Sequence, residues 1–132
     1  MDHKKVFIII AVHNRKEITL KGLRHLQSIN AFSFNIVIVD DGSVDGTSEA
    51  IEELFPEVHL LNYKGDLWWS GSMNMGMKYA LEQGAEFIFW MNDDAYPREE
   101  SLENLLFLTN ITKGITGAIG ISEIDGTVLH SG

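Results

Sequence analysis

The sequence contains no cysteine and only two prolines among its 132 residues. The lack of cysteine excludes a disulfide framework, a thiolate metal site and a cysteine nucleophile, and it fits a reducing compartment. Long apolar runs are also missing, because the longest cover residues 6–12 and 87–91, whereas a membrane-spanning helix needs about 20 such residues. We therefore expect no membrane segment in this chain and a cytoplasmic location, either free or peripheral at the inner face of the membrane.

Positive charge is scarce beyond the first 25 residues. Residues 1–25 carry six basic and two acidic side chains, whereas the other 107 carry four basic and seventeen acidic ones, and the net charge is −9. Such a surface repels a phosphate backbone, so nucleic acid is not an expected partner. An acidic domain that binds phosphates needs a divalent cation between the two.

Apolar, β-branched segments alternate with segments of helical periodicity along the chain. Asn14 and Glu17 have the spacing of a capping box at the first helix. The alternation predicts one α/β domain over residues 1–132, with a Rossmann-like, mostly parallel sheet and helices on both faces. The predicted strands are 6–12, 36–39, 58–61 and 86–91, the predicted helices are 14–29, 47–55, 70–83 and 97–110, and a hairpin of residues 115–121 and 127–130 follows.

Polar residues collect directly after the predicted strands. These clusters are residues 13–15, 40–43, 66–74 and 92–94. In an open parallel sheet, ligands bind beyond the carboxyl ends of the strands, at the point where the strand order reverses. If the fourth strand lies beside the first, the clusters converge on one edge of the sheet and form a shared site.

Asp93 and Asp94 follow a buried strand as an adjacent pair of carboxylates. Such a pair repels itself unless a cation or hydrogen-bond donors compensate the charge. Mg²⁺ and Mn²⁺ take oxygen ligands and commonly keep waters and phosphate oxygens, so one or two carboxylates suffice. The alternative is a cap for the helix near Pro97, which uses only one aspartate. Asp40 and Asp41 are either turn residues or acceptors for a nucleobase N–H or a ribose hydroxyl.

Two tryptophans and several small residues surround the predicted start of the third helix. Backbone N–H groups around Gly71 can face an anion such as a diphosphate there. Trp68 and Trp69 either stack on a base or sugar ring or fill a core or an interface. The sequence has no nucleophile elbow, no Walker-type phosphate loop and no complete Gly-rich dinucleotide fingerprint.

Together these segments resemble the family 2 glycosyltransferases, which have the GT-A fold. Residues 6–15 resemble the opening strand and loop of that family, and residues 36–47 (IVIVDDGSVDGT) are close to its second signature. Residues 72–76 resemble its Asn-x-Gly helix, and residues 89–94 occupy the position of its DxD motif. The late glycines, at 117–120 and 126–132, are similar to those of a branch that includes rhamnosyltransferase-like members.

The resemblance implies transfer of a sugar from a nucleotide diphosphate sugar to a hydroxyl of a saccharide or lipid-linked acceptor. It implies a metal-assisted, inverting reaction in the synthesis of cell-surface polysaccharide or glycan. Mn²⁺ or Mg²⁺ would be held by Asp94 together with Asp93, since Asn92 stands where the first Asp of the DxD motif is common. The donor-binding residues that it implies are Val12, His13, Asn14, Arg15, Asp40, Asp41, Gly71, Asn74 and Asp93.

The catalytic base is expected in an acceptor-side segment downstream, so no catalytic residue is expected among these residues. The chain is then expected to be a truncated, N-terminal, donor-side domain. A nucleotide-sugar binding module without turnover is one alternative. A nucleotidyltransferase is another, although that class carries a Gly-rich basic loop where this chain has residues 13–16. A phospho-accepting receiver domain fits less well, because its acidic pair follows the first strand.

Overall fold

A computed structural model describes residues 5–130, so the two ends of the predicted domain, residues 1–4 and 131–132, lie outside the described residues. The expected alternation of strands and helices is confirmed. In chain order the elements are β1 (Val6–Val12), α1 (Lys16–Gln27), β2 (Asn35–Asp41), α2 (Thr47–Leu54), β3 (His59–Tyr63), α3 (Trp68–Glu82), β4 (Phe87–Met91), α4 (Glu99–Thr112), β5 (Gly120–Ile121) and β6 (Val128–His130).

The chain divides into two compact units, Met1–Tyr96 and Pro97–Gly132. The first unit holds β1 to β4 with α1 to α3. The second unit holds α4 and the expected hairpin, in which β5 and β6 pair antiparallel. The single domain over residues 1–132 stays a prediction. Within residues 5–130, none of the helices combines the length and the apolar character that crossing a bilayer requires.

The first unit is built on a parallel sheet with the strand order β3-β2-β1-β4. β1 therefore pairs with β2 on one side and with β4 on the other, which confirms the expected neighbourhood of the first and fourth strands. Val12 lies opposite Asp40 of β2, and Ile10 lies opposite Met91 of β4. The carboxyl ends of β2 and β4 thus flank the carboxyl end of the central strand.

One face of the sheet is covered by α3. Successive strand residues point to opposite faces, and the odd-numbered residues Phe7, Ile9, Val37 and Val39 form a buried cluster with Met73 and Ala80 of α3. Gly76 of α3 approaches the sheet so closely that a Cβ at this position would overlap Ile9 Cγ2. The glycine of the Asn-x-Gly segment therefore serves helix–sheet packing.

The other face of the sheet is also buried. Ile8, Ile10 and Ile38 point to this face by strand alternation, and each is at most 2% exposed. α1 and α2 contact each other and contribute Leu20, Leu23, Leu26 and Ile51 to the core. Right-handed crossovers between neighbouring parallel strands place these two helices opposite α3. The predicted α/β sheet with helices on both faces is confirmed.

Two local predictions need correction at the carboxyl ends of the strands. Asp40 and Asp41 belong to β2 and not to a turn, because the pairing with β3 continues through Asp41. The capping box also fails to form. α1 begins at Lys16, whose amide donates to Asp45 Oδ2 at 3.0 Å, and the side chain of Asn14 instead accepts from the Val44 amide at 2.7 Å. The sheet brings the 42–46 loop to the start of α1, so a distant residue supplies the cap.

We predict that Gly76→Ala lowers the free energy of unfolding by about 1–3 kcal/mol, because the added methyl group overpacks the α3–sheet contact. Urea unfolding of the variant and the parent measures this difference. Gly114→Ala is the matched control, since a Cβ there meets nothing closer than Thr112 Oγ1 at 3.8 Å. Equal losses in the two variants would contradict the packing role of Gly76.

Candidate functional site

A cavity of about 370 Å³ lies where the chain leaves β1 and β4. Six of the residues predicted for the site line it: Val12, His13, Arg15, Asp41, Asp93 and Asp94. Six further lining residues are Ala11, Gly65, Trp68, Trp69, Ser72 and Asn92. The position of this cavity, beside the central strand where the strand order reverses, is the one expected for a ligand of an open parallel sheet.

Strand alternation separates the two aspartates of β2. Asp41 lines the cavity, whereas Asp40 points to the opposite face of the sheet and lines a second depression of about 290 Å³. There, Asp40 Oδ1 accepts from the Ser43 amide at 2.9 Å, and Asp40 Oδ2 accepts from Ser48 Oγ. The two carboxylates therefore line different cavities, which separates Asp40 from the predicted residues around Asp41.

Three other predicted residues lie outside the cavity lining. The amide of Gly71 donates to the Leu67 carbonyl at 3.1 Å, so it is used inside α3, which begins earlier than predicted. Asn74 is exposed on the same helix. Asn14 contacts a lining residue without lining the cavity itself. Its Nδ2 lies 3.1 Å from His13 Nε2, and its backbone amide donates to Ser43 Oγ at 2.8 Å.

The carboxylate of Asp41 organises one wall of the cavity. It is buried and accepts three backbone hydrogen bonds, from Gly65 at 2.9 Å, Leu67 at 3.0 Å and Trp68 at 2.9 Å. Its carbonyl oxygen lies 2.7 Å from His13 Nδ1. Because every carboxylate oxygen already has a backbone donor, this side chain holds the turn before α3 in place.

Arg15 links the two carboxylates that follow β4. Its Nη1 lies 3.1 Å from Asp93 Oδ1, and its Nη2 lies 3.1 Å from Asp94 Oδ2. The guanidinium thus compensates the adjacent negative charges that the sequence places at the end of a buried strand. The alternative role as a helix cap is not met, since the N-cap of α4 is Arg98 and makes no side-chain cap hydrogen bond.

Asp93 and Asp94 differ sharply in their surroundings. The side chain of Asp93 is 4% exposed and that of Asp94 is 54% exposed. Burial raises the pKa of Asp93 above its ordinary value of 3.8, Arg15 opposes this rise, and the neighbouring Asp94 adds to it. Among residues 5–130, the buried Asp93 Oδ2 has no hydrogen-bond partner of good geometry, although the Thr19 side chain acts to lower the pKa of Asp93. Asp93 is therefore the buried carboxylate of the pair, and Asp94 is the one that is open to solvent.

α1 determines where the Asp93 loop lies. A Cβ on Gly22 would stand 2.5 Å from the Asp93 carbonyl oxygen, so the helix and the loop approach at a distance that only glycine allows. Further along the loop, the ring of Tyr96 packs edge-on against His25, with centroids 5.5 Å apart. Lys21 Nζ lies 4.9 Å from the centroid of the Tyr96 ring. These contacts hold the acidic loop against the helix that follows Arg15.

The tryptophans form the outer wall of the cavity. Trp69 packs edge-on against Trp90 of β4, with ring centroids 5.9 Å apart. Ser72 lies three residues after Trp69 on the same side of α3, a spacing that places side chains together on a helix. The helical spacing from Trp69 could have predicted Ser72 as a lining residue. Ala11 and Gly65 line the cavity only because of their position in the fold, and no local sequence pattern predicts them.

The residues at the end of β4 fit a divalent cation only if the ligand also supplies oxygens. Among residues 5–130, no three His, Asp or Glu side chains lie close enough to hold a metal ion by themselves. The carboxylates of Asp93 and of the half-exposed Asp94, which both line the cavity, offer hard oxygen donors. Mg²⁺ and Mn²⁺ bound with nucleotides commonly take one or two carboxylates plus phosphate oxygens. The donor set therefore fits a metal held jointly with a diphosphate.

The sequence model of the family described as "Glycosyl transferase family 2" matches residues 7–124. Among solved structures, the chain is similar to TarS of S. aureus (residues 1–349) in complex with UDP-GlcNAc, at 22% identity and a TM-score of 0.61. It is also similar to the mannosyltransferase PcManGT of Pyrobaculum calidifontis in complex with GDP-Man and Mn²⁺, at 20% identity and a TM-score of 0.68. No curated protein matches the chain significantly.

These structural matches cover 81% of the chain for TarS and 80% for PcManGT, but only 31% and 32% of those longer chains. The chain thus spans about a third of the length of both solved proteins. At such identities the likeness shows the fold, and it confirms the GT-A fold that the sequence resemblance implies.

We predict that Asp93→Asn gains stability relative to the parent as the pH rises. Because the folded-state pKa of Asp93 is raised, the folded chain holds this proton more tightly than the unfolded chain. The parent's free energy of unfolding therefore falls as the pH rises from 3.8 through the folded-state pKa. Asparagine resembles the protonated carboxyl group and does not titrate, so the variant lacks this decrease in the free energy of unfolding.

Urea unfolding of both proteins at several pH values between about 4 and about 7 measures the trend. Asp66→Asn controls for the loss of one carboxylate, because Asp66 is exposed and lies outside the cavity lining. A stability difference between Asp93→Asn and the parent that stays constant or shrinks with rising pH would contradict the prediction.

Proposed function

This chain belongs to glycosyl transferase family 2, and on that premise we propose that it binds a nucleotide diphosphate sugar for transfer of the sugar to an acceptor hydroxyl. The observation that carries the proposal is the acidic pair, Asp93 and Asp94, held by Arg15 beside the central strand. The UDP-GlcNAc and GDP-Man in the two solved relatives support this class of donor. Family membership also favours it over a nucleotidyltransferase.

In this proposal the nucleoside lies against the loop that follows β1. His13 is held at both ring nitrogens, by the Asp41 carbonyl and by the Asn14 side chain, so its ring has a fixed position beside Val12. Asp41 contributes by fixing the turn from Gly65 to Trp68. Asp40, Gly71 and Asn74, which do not line the cavity, are not assigned a contact with the donor.

The diphosphate would lie over the carboxylates that follow β4. Asp94, with Asp93 beside it, would hold Mn²⁺ or Mg²⁺ together with phosphate oxygens. When bound, the metal ion would neutralise the charge that develops on the departing nucleoside diphosphate. Arg15 is 42% exposed, so its guanidinium can reach a phosphate while it orients the acidic pair.

The proposal extends to an inverting reaction at the anomeric carbon and to a saccharide or lipid-linked acceptor. It places the activity in the synthesis of cell-surface polysaccharide or glycan, in the cytoplasm or at the inner face of the membrane. These features rest on the family resemblance of residues 6–15, 36–47 and 89–94.

We expect calorimetry with UDP, GDP and dTDP to detect binding of one or more nucleotides that depends on Mn²⁺. Asp94→Ala should weaken this binding by at least about tenfold, because the exposed carboxylate would share the metal ion with the diphosphate. Asp66→Ala is the matched control, since it removes an exposed aspartate outside the cavity lining. Unchanged affinity in Asp94→Ala would remove Asp94 from the metal role, and equal losses in both variants would indicate a general charge effect.

Donor binding without turnover is a second candidate for this chain alone. In the described cavity, the carboxylate of Asp41 accepts from three amides, and Asp93 and Asp94 are paired with Arg15. In the proposed site, Asp41 holds the turn before α3 and the other two aspartates would hold the metal ion, so none of the three is assigned the proton transfer from an acceptor hydroxyl that general-base catalysis requires. The proposed base would come from an acceptor-side segment.

We therefore expect the 132-residue chain to bind the nucleotide sugar but to release no nucleoside diphosphate above the uncatalysed rate. The assay is UDP or GDP release from UDP-GlcNAc or GDP-Man, with Mn²⁺ and a panel of saccharide acceptors. Sustained release that Asp94→Ala abolishes would contradict the second candidate and favour a complete transferase.

A further inference from the structure

We propose that Trp68 forms a stacking subsite for a pyranose ring at the open side of the cavity. The inference rests on the proposed function, because it concerns the sugar that this site would receive. Trp68 is 81% exposed although it belongs to the cavity lining. A large apolar ring left in water at the rim of a cavity is a surface that a ligand can cover.

The backbone conformation of Trp68 also indicates that its ring is held in a defined position. Its φ is +56°, in the left-handed region that residues other than glycine rarely adopt. The buried Asp41 carboxylate holds the amides of Leu67 and Trp68 in this geometry, at 3.0 and 2.9 Å. Strained residues of this kind cluster at ligand sites, where the surrounding structure holds them in place.

The neighbouring Trp69 has an aromatic ring contact, which Trp68 lacks among residues 5–130. Trp69 is 48% exposed, and its ring packs against Trp90 of β4. Since the Trp68 amide is bound to Asp41 of β2 while Trp69 contacts β4, the start of α3 spans the carboxyl end of β1, which lies between those strands. Trp69 therefore holds the start of α3 against β4, and the ring of Trp68 is left free to contact a ligand.

The exposure of Trp68 favours a sugar over the nucleobase. The anomeric carbon must meet an acceptor that arrives from solvent, so a sugar ring has to lie at the open side of the cavity. A pyranose has an apolar C–H face that packs on an indole, and its hydroxyls remain at the edge, in contact with water. The same chemistry describes the sugar of the donor and that of a saccharide acceptor, and the experiment separates the two sources.

The test compares Trp68→Ala, Trp68→Phe and the parent by calorimetry, with UDP, GDP, UDP-GlcNAc and GDP-Man as probes in the presence of Mn²⁺. If Trp68 binds the donor sugar, Trp68→Ala should lower the affinity for UDP-GlcNAc or GDP-Man by about five- to tenfold. The affinity for UDP or GDP should change by less than about twofold. Trp68→Phe should retain most of the affinity. For an acceptor sugar, the loss should instead fall on methyl glycosides titrated against the UDP or GDP complex.

Two further variants distinguish the effect of losing the Trp68 ring from an effect on the stability of the fold. Trp68→Gly suits the left-handed backbone, so it should unfold at the same temperature as the parent or above it and lose the same sugar affinity as Trp68→Ala. Leu81→Ala removes another exposed apolar side chain from α3, outside the cavity lining, and should change no affinity.

If Trp68→Ala loses as much affinity for UDP or GDP as for the corresponding nucleotide sugar, Trp68 stacks on the base, which overturns the inference. Unchanged affinity for every saccharide and nucleotide sugar in Trp68→Ala overturns it as well, as does a parent that binds UDP or GDP but none of the sugar-bearing probes. A parent that binds neither UDP nor GDP overturns the proposed function, and the subsite with it.

Discussion

The pairing of β1 with β2 on one side and with β4 on the other is the constraint on which the site depends. This order brings the chain out of β1 beside the chain out of β4, so Arg15 can reach both Asp93 and Asp94. It also brings the 42–46 loop to the start of α1, where Asp45 supplies the cap that the local sequence does not. Without this pairing, the loop that carries Arg15 would lie apart from the loop that carries Asp93 and Asp94.

Negative charge at the carboxyl end of the sheet is compensated in a different way at each position. Asp41 is satisfied by three backbone amides and becomes part of the scaffold. Asp93 and Asp94 share one guanidinium, and a buried oxygen of Asp93 has no hydrogen-bond partner of good geometry within the described part of the chain. The acidic pair is therefore the part of the site with capacity for a cation, whereas Asp41 already has its donors.

Most of the fold could be predicted because its signals are local. The apolar β-branched run of β1 and the helical periodicity of residues 47–55 predict the element types and nearly the correct bounds. The start of α1 and the end of β2 differ from the predicted bounds, since the first depends on Asp45 and the second on pairing with β3. Such contacts join residues far apart in sequence, and no local pattern reports them.

By itself, the sequence determined the α/β class, the family resemblance and the clustering of polar residues after the strands, because apolar periodicity and motif spacing are properties of short segments. Only the tertiary structure decided which of those polar residues share a cavity. Asp40 and Asp41 are neighbours in sequence, yet strand alternation sends them to opposite faces of the sheet. Asp93 and Asp94 follow a strand that has already ended, so both can turn toward Arg15, which lies 78 and 79 residues earlier in the chain.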